Sequence, residues 1–325
     1  MFKKITALVA ICTTLLLLQS NSPITEEKVK IYINQLMEHQ ALDATTRGIV
    51  DGLADAGYID GDNMELKIES AQGNMALAGQ IANKFISNKP DIVVGVATMA
   101  AQSFVKFARA GKTKLIFTTV TDPLEANLVR NLEQPGNNIS GVSNFVSLEP
   151  QIEMFKQIKP SIKKLGFLYN PGELNSISLI EKLRIICPKY GIRLVIRSAG
   201  KTSEIAQSAT KLSSLVDAIF ISNDNTALSA FRMIVQAADQ QKIPVFVSDT
   251  DIVASGAIAA LGPNQYEIGK QTATMIVQVL KGKDINNMQV QFPRKTELFL
   301  NMKVAKNLGI KFPDDLIAKA KVVLK

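Results

Sequence analysis

Asp91-Ile92-Val93-Val94-Gly95-Val96-Ala97-Thr98-Met99-Ala100-Ala101-Gln102 decides the fold. From Ile92 to Val96 the run is apolar apart from one glycine, as a strand buried on both faces must be. Thr98 then stands where a cap belongs, ahead of a helical pattern running to Ala110. A buried strand that hands over directly to a helix is half of a βαβ unit. Working outward, the same alternation surrounds it. The patterns predict strands over Lys30–Leu36, Met64–Ser70 and Leu115–Val120, and helices over Leu42–Ala56 and Met75–Ser87. Gly57 stops the first helix, and Thr121-Asp122-Pro123 closes the last strand.

The pattern then restarts. Strands are predicted over Leu165–Tyr169, Arg193–Arg197, Ala218–Ser222, Val245–Val247 and Ile258–Leu261. Helices fall over Ser176–Cys187, Glu204–Leu215, Thr226–Gln240 and Tyr266–Leu280. Two successive βα arrays imply an α/β protein with two lobes, each a parallel sheet flanked by helices. Residues 28–145 are expected to form the first lobe, completed by about 257–285. Residues 146–256 are expected to form the second, completed by about 290–325, with a ligand cleft between the two.

The 325 residues are 46% hydrophobic and 20% charged, a globular balance. The net charge of +8 is scattered in pairs such as Lys163-Lys164, never in a 5–8-residue cluster, which argues against nucleic acid as a partner. Lys3-Lys4, the apolar run Ile5–Leu18 and the polar stretch after it read as an export signal over residues 1–22, cleaved near Ser20 or Ser22. The run is short of the ~20 residues a spanning helix needs. Beyond this segment Cys187 is the one cysteine, so neither an internal disulfide nor a multi-cysteine metal site is expected. The protein is expected to be exported, to hold no metal or cofactor, and to work as a monomer.

Open parallel sheets bind ligands beyond the carboxyl ends of their strands. Those ends carry Glu38-His39-Gln40, Ala97-Thr98 and Thr119-Val120-Thr121-Asp122 in the first array. In the second they carry Tyr169-Asn170, Asn223-Asp224-Asn225 and Ser248-Asp249. Thr98 and the N–H groups beside it suit a carboxylate, and Asp224 or Asp249 suits an amine. The plainer reading is that Thr98, Asp224 and Asn225 simply cap helices. Enzyme signatures are missing: no strand leads into G-x-G-x-x-G, no G-x-S-x-G is present, and His39 is the sole imidazole.

In order along the chain stand Glu38-His39-Gln40-Ala41-Leu42-Asp43, Ala71-Gln72-Gly73-Asn74, Ala97-Thr98-Met99-Ala100-Ala101-Gln102 and Val120-Thr121-Asp122-Pro123. Pro135-Gly136-Asn137-Asn138-Ile139-Ser140-Gly141-Val142 and Tyr169-Asn170-Pro171-Gly172-Glu173-Leu174-Asn175-Ser176 follow, then Ser222-Asn223-Asp224-Asn225-Thr226. Together they resemble the substrate-binding proteins of ABC importers, of the tryptophan/tyrosine-binding type. The resemblance implies the type I periplasmic-binding-protein fold, with two Rossmann-like lobes. It also implies capture of a small amino-acid-like solute by lobe closure, and delivery to a membrane permease. By that resemblance Thr98 and Thr121 would face the ligand's carboxylate and amine, and Asp224 would take the ammonium. Tyr169, Asn170, Glu173 and Ser176 would line the second lobe, with Gln40 and Leu42 bordering the side-chain pocket; Asp122, Asn223 and Asp249 join the set from their strand ends. Gln40 stands where the family commonly has Pro, and Thr119 where it commonly has Ala. With no Trp, Phe117, Phe145 or Tyr169 would have to stack on an aromatic ligand. An exported sensor module of the same fold is the second reading, since it too would use closure.

Overall fold

The computed structural model describes residues 28–325. The expected export signal, residues 1–22, lies outside the described residues.

The first sheet has the order β2-β1-β3-β4-β5 and is parallel throughout. Its strands are β1 (Val29–Gln35), β2 (Met64–Ser70), β3 (Ile92–Val96), β4 (Lys114–Val120) and β5 (Ile139–Ser143). Helices α1 (Gln40–Asp55), α2 (Met75–Ser87) and α3 (Thr98–Arg109) connect them. Side chains alternate across β3. Ile92, Val94 and Val96 pack with Ile49 and Leu53 of α1, while Val93 packs with Phe85 of α2 and Phe104 of α3. Both faces are covered, and so the stretch carries no polar side chain. Gly95 lets α3 close onto the sheet: a Cβ there would lie 2.3 Å from the Ala101 Cα.

The chain then crosses to α4 (Leu148–Ile158) and a second sheet of order β12-β11-β10-β9-β8-β6-β7. Its parallel strands β6 (Lys164–Tyr169), β7 (Arg193–Ser198), β8 (Ala218–Ile221), β9 (Val245–Val247) and β10 (Ala259–Gly262) alternate with α5 (Leu174–Ile186), α6 (Ile205–Ser213), α7 (Asn225–Ser229) and α8 (Phe231–Gln240). The following helix, α9 (Gln265–Leu280), returns to the first lobe and packs against α1. The chain next runs beside β5, where Ser143 N–H donates to the Gln291 carbonyl at 2.8 Å and Gln291 N–H to that of Gly141 at 2.9 Å. It ends in the second lobe with β11 (Glu297–Asn301), antiparallel to β10, then α10 (Met302–Asn307), α11 (Asp314–Lys319) and β12 (Val322–Leu324).

Four readings of the sequence are corrected. The strand near Ile258–Leu261, assigned above to the part that completes the first lobe, joins β9 in the second sheet as β10. The helix expected over Thr226–Gln240 is two, broken at Ala230. β5 and α4, which no pattern above predicted, fill the region between the arrays. Thr98 is not the cap of α3: the cap position is Ala97, at φ 76°, and Thr98 is the first helical residue.

Candidate functional site

Two strained residues set the first lobe's side of the cleft. Ala97 and Thr119 are non-glycine residues in the left-handed region, at φ 76° and φ 53°. At Thr119 the pairing of β4 with β5 slips, so the strand bulges and re-aims the side chain. Ala97 N–H donates to the Thr118 carbonyl at 3.0 Å and to Thr119 Oγ1 at 3.1 Å, which fixes both residues. Thr119 thereby borders a small, polar-lined cavity between the lobes.

The first lobe supplies His39, Ala41, Leu42, Thr119, Asn144 and, from α9, Gln265; the second supplies Asn175, Asn223, Asn225, Leu228 and Asp249. The lobes touch around this cavity. Asn223 Nδ2 donates across the cleft to Thr121 Oγ1 at 3.1 Å and to Asn144 Oδ1 at 3.2 Å. His39 Nε2 and Asn225 Oδ1 lie 3.2 Å apart. Of the five buried side-chain polar atoms without a hydrogen-bond partner among the described residues, three belong to lining residues: His39 Nδ1, Asn175 Oδ1 and Asn223 Oδ1. A buried unpaired group costs about 1–3 kcal/mol. Three around one cavity mark it as a place where a polar guest is expected.

Asp249 is the carboxylate of the cavity. It is 2% exposed, and burial pushes its carboxyl up to about 7, against a lowering by the Gln265 side chain. An ionised Asp249 therefore lacks a counter-charge, and a cationic group would supply it. Burial lowers the His39 imidazole below its ordinary value, so it is neutral at physiological pH.

Of the residues expected at the ligand, Leu42, Asn223 and Asp249 line the cavity. The other expected residues stand outside its lining. Asp224 is committed to its own lobe: Oδ2 accepts from Asn170 N–H at 2.7 Å and Ser176 Oγ at 2.6 Å, and Oδ1 caps α7 through Ala227 N–H at 2.8 Å. Both carboxylate oxygens of Asp224 thus already have donors within the second lobe. Burial and then the neighbouring Glu173 push the Asp224 carboxyl up. Glu173 is itself structural. Its oxygens accept from the N–H and side chain of Asn225 at 2.9 and 2.6 Å, and from those of Thr226 at 2.9 and 2.8 Å. Asn170 also donates to Thr226 Oγ1 at 2.9 Å, which absorbs its side chain.

Thr121 bonds to Asn144 and Asn223 at the cavity's edge. Gln40 and Asp122 reach across the cleft away from the cavity, to Asp251 and Ser255 and to Ser178 and Lys182 respectively. Thr98 is buried beside Ala97 without lining the cavity. The three rings proposed for stacking are placed elsewhere: Phe117 in the first lobe's core, Tyr169 and Phe145 against the second's. His39 carries the one ring among the lining residues. Asn144, Asn175, Leu228 and Gln265 escaped the sequence reading. Asn144 follows β5, hidden behind a Pro/Gly/Asn-rich stretch, and Gln265 opens α9 one residue ahead of the helix that the sequence pattern predicts.

A family model described as ABC transporter substrate binding protein matches residues 30–324. The chain belongs to that family. These are extracytoplasmic binding proteins, not enzymes. Relatives place it more finely. It is 32% identical over 286 residues to the tyrosine-binding protein of Clostridioides difficile, covering 88% of this chain and 82% of that one. An ABC domain from Streptococcus pneumonia, solved in complex with L-Trp, superposes with a TM-score of 0.86 at 34% identity, covering 92% of this chain and all of that one. A ligand-free, open substrate binding protein with adhesive properties from Clostridium difficile gives 0.69 at 33% identity, covering 91% and 99%. Sequence distance is the same in the two structures. The better fit to the Trp complex agrees with the hydrogen bonds that join the lobes here: the family member described has its lobes closed.

Proposed function

We propose that this substrate-binding protein takes a single aromatic amino acid, tyrosine or tryptophan, into the interlobe cavity and presents the closed form to its permease. The observation that carries the reading is the lining itself: a buried carboxylate and three unpartnered polar atoms, drawn from both lobes, converge on one small cavity. The relatives named for tyrosine and crystallised with L-Trp supply the ligand class.

The ammonium pairs with Asp249, which then ionises. The carboxylate lies toward Thr119 and the N-terminus of α3, where Thr98 and its neighbours offer helix N–H groups. Ala41, Leu42, Leu228 and the flat imidazole of His39 take the ring. Because the contacts come from both lobes, the solute stabilises the closed form by its differential contacts, and the transporter reads that form. The leader at residues 1–22 directs export, and the mature chain works as a monomer at the outer face of the membrane.

Calorimetric titration of the purified protein against the amino acids tests this. One-to-one binding of tyrosine or tryptophan, lost in Asp249→Ala, is expected. Silence from all amino acids beside clear binding of a sugar or peptide overturns it.

A further inference from the structure

Gln40 and Asp122 were expected at the ligand, yet each reaches the opposite lobe instead. Gln40, the first residue of α1, donates from Nε2 to the Asp251 carbonyl at 2.5 Å and accepts from Ser255 Oγ at 3.0 Å. Asp122, just past β4, accepts at Oδ2 from Lys182 Nζ at 3.0 Å and from Ser178 Oγ at 3.2 Å; Lys182 also donates to Ser178 Oγ at 2.9 Å. The Lys182 Nζ sits 5.7 Å from the centre of the Phe145 ring, a second tie to the segment between lobes.

The topology shows how these contacts are arranged. In the first sheet Gln40 follows β1 and Asp122 follows β4, with β3 between. In the second, Asp251 and Ser255 follow β9, and Ser178 and Lys182 lie on α5 after β6, with β8 between. Each pair is therefore two strand spacings apart, about 10 Å, and the spacing matches on both lobes. Between them stand the cavity residues Asn223 and Asn225, which follow β8.

We infer that Gln40 with Asp251 and Ser255, and Asp122 with Lys182 and Ser178, are two latches flanking the cavity, which hold the lobes closed and so slow solute release without touching the solute. The inference rests on the reading that closure traps the ligand. The latches differ in chemistry. The first is neutral, whereas the second is an ion pair whose Lys182 and Asp122 side chains are 37% and 21% exposed. Salt screens such a pair. Of the two latches, the second alone is expected to respond to salt.

The experiment uses spin labels at Gln80→Cys on α2 and Lys211→Cys on α6, both exposed, while the native Cys187 is buried. Interlobe distance distributions give the closed fraction with and without tyrosine or tryptophan, and stopped-flow release gives the off-rate. Wild-type release is expected to quicken roughly two- to fivefold between low and high salt. Gln40→Ala is expected to quicken it roughly three- to tenfold and keep the salt response. Lys182→Met quickens release at low salt and abolishes the salt response, while Glu181→Gln, from an exposed pair on the same helix, behaves as wild type. Closed fractions and release rates unchanged in both latch variants overturn the inference, as does a wild type with no closed fraction at low salt. A closed fraction that follows salt and the latch variants but no amino acid keeps the latches and overturns the ligand reading.

Discussion

Gln265 donates from Nε2 to Asp249 Oδ1, although Gln265 opens a helix of the first lobe and Asp249 follows a strand of the second. The contact is held from both directions. Gln265 N–H donates to Asp251 Oδ2 at 2.8 Å, and Gln265 Oε1 accepts from Thr45 Oγ1 of α1 at 3.4 Å. The carboxylate of the cavity is thus aimed by a residue of the opposite lobe, and the place where α9 follows β10 contributes to the cavity lining. Any movement of α9 against the second sheet therefore disturbs Asp249, the group proposed to take the ammonium.

Asp249→Asn keeps the shape and the bond from Gln265 but removes the charge. Amino-acid affinity is expected to fall by at least about a hundredfold, as when one partner of a buried charge pair is lost. Stability moves the other way. A carboxyl held at about 7 when its unfolded value is near 3.9 disfavours the ionised fold by up to about 4 kcal/mol. Above pH 7 the variant should therefore melt several degrees higher than wild type without ligand, a gain bought with function. Thermal melts and calorimetry on the same samples check both halves; equal losses in melting temperature and affinity would contradict the assignment.

The same raised carboxyl fixes the pH response. The folded Asp249 retains its proton to higher pH than the unfolded one, so between about pH 4 and pH 7 the fold binds more protons and its stability falls as pH rises. Asp224 is shifted in the same direction by burial and Glu173 and adds to the slope. Asp251, buried beside Asp249, raises it further. Without ligand, the melting temperature is expected to decline from pH 5 to pH 8, and less steeply in Asp249→Asn. Ligand ammonium requires the ionised form, so affinity rises toward pH 7 by up to about tenfold per pH unit and one proton leaves on binding. Titrations in buffers of different ionisation enthalpy count that proton, and an affinity flat from pH 5 to pH 8 would sink the pairing.

The scaffold was legible because burial writes itself into composition. Ile92–Val96 and Ala218–Ile221 are covered on both faces, and their apolar runs announce it. The site was legible only to the level of strand ends. Asp224 and Asp249 occupy equivalent-looking places after β8 and β9, and nothing local separates them. Their roles diverge through partners far away in the chain: Asn170 and Ser176 consume Asp224, while Gln265 leaves Asp249 facing the cavity. Ala97 illustrates the same limit. A helix start after a buried strand invites Thr98 as the cap, yet the tight turn onto α3 puts Ala97 in that position with positive φ.

Glu173 tests whether a buried carboxylate serves the fold or the ligand. Its two oxygens gather four donors from Asn225 and Thr226, fixing the turn that leads β8 into α7. Glu173→Gln replaces charge-assisted bonds with neutral ones and turns an amide donor toward N–H groups. A loss of about 2–4 kcal/mol is expected. Denaturant unfolding should show that loss, with ligand affinity falling only as far as the tilt of Asn225 reaches His39. A variant of normal stability that failed to bind would put Glu173 back at the ligand.

The contact of α1 with α9 supports the first lobe's whole contribution, because His39 and Gln40 begin one helix and Gln265 the other. Glycine makes that contact possible. A Cβ on Gly269 would lie 2.1 Å from the Thr45 carbonyl oxygen and 2.8 Å from the Gly48 Cα, all of it backbone that cannot step aside. Gly48 is equally close to the Tyr266 carbonyl oxygen. Gly269→Ala must therefore push the helices apart, at an expected cost of about 2–4 kcal/mol, the upper range for overpacking. The displaced N-terminus of α9 carries Gln265 away from Asp249, so affinity should fall beyond what the stability loss explains. Gly79→Ala is the control: this helical glycine has open space around it, and alanine there should be neutral or stabilising by up to about 1 kcal/mol. Equal behaviour of the two alanine variants in melting and titration would show that α9 is not what sets the site.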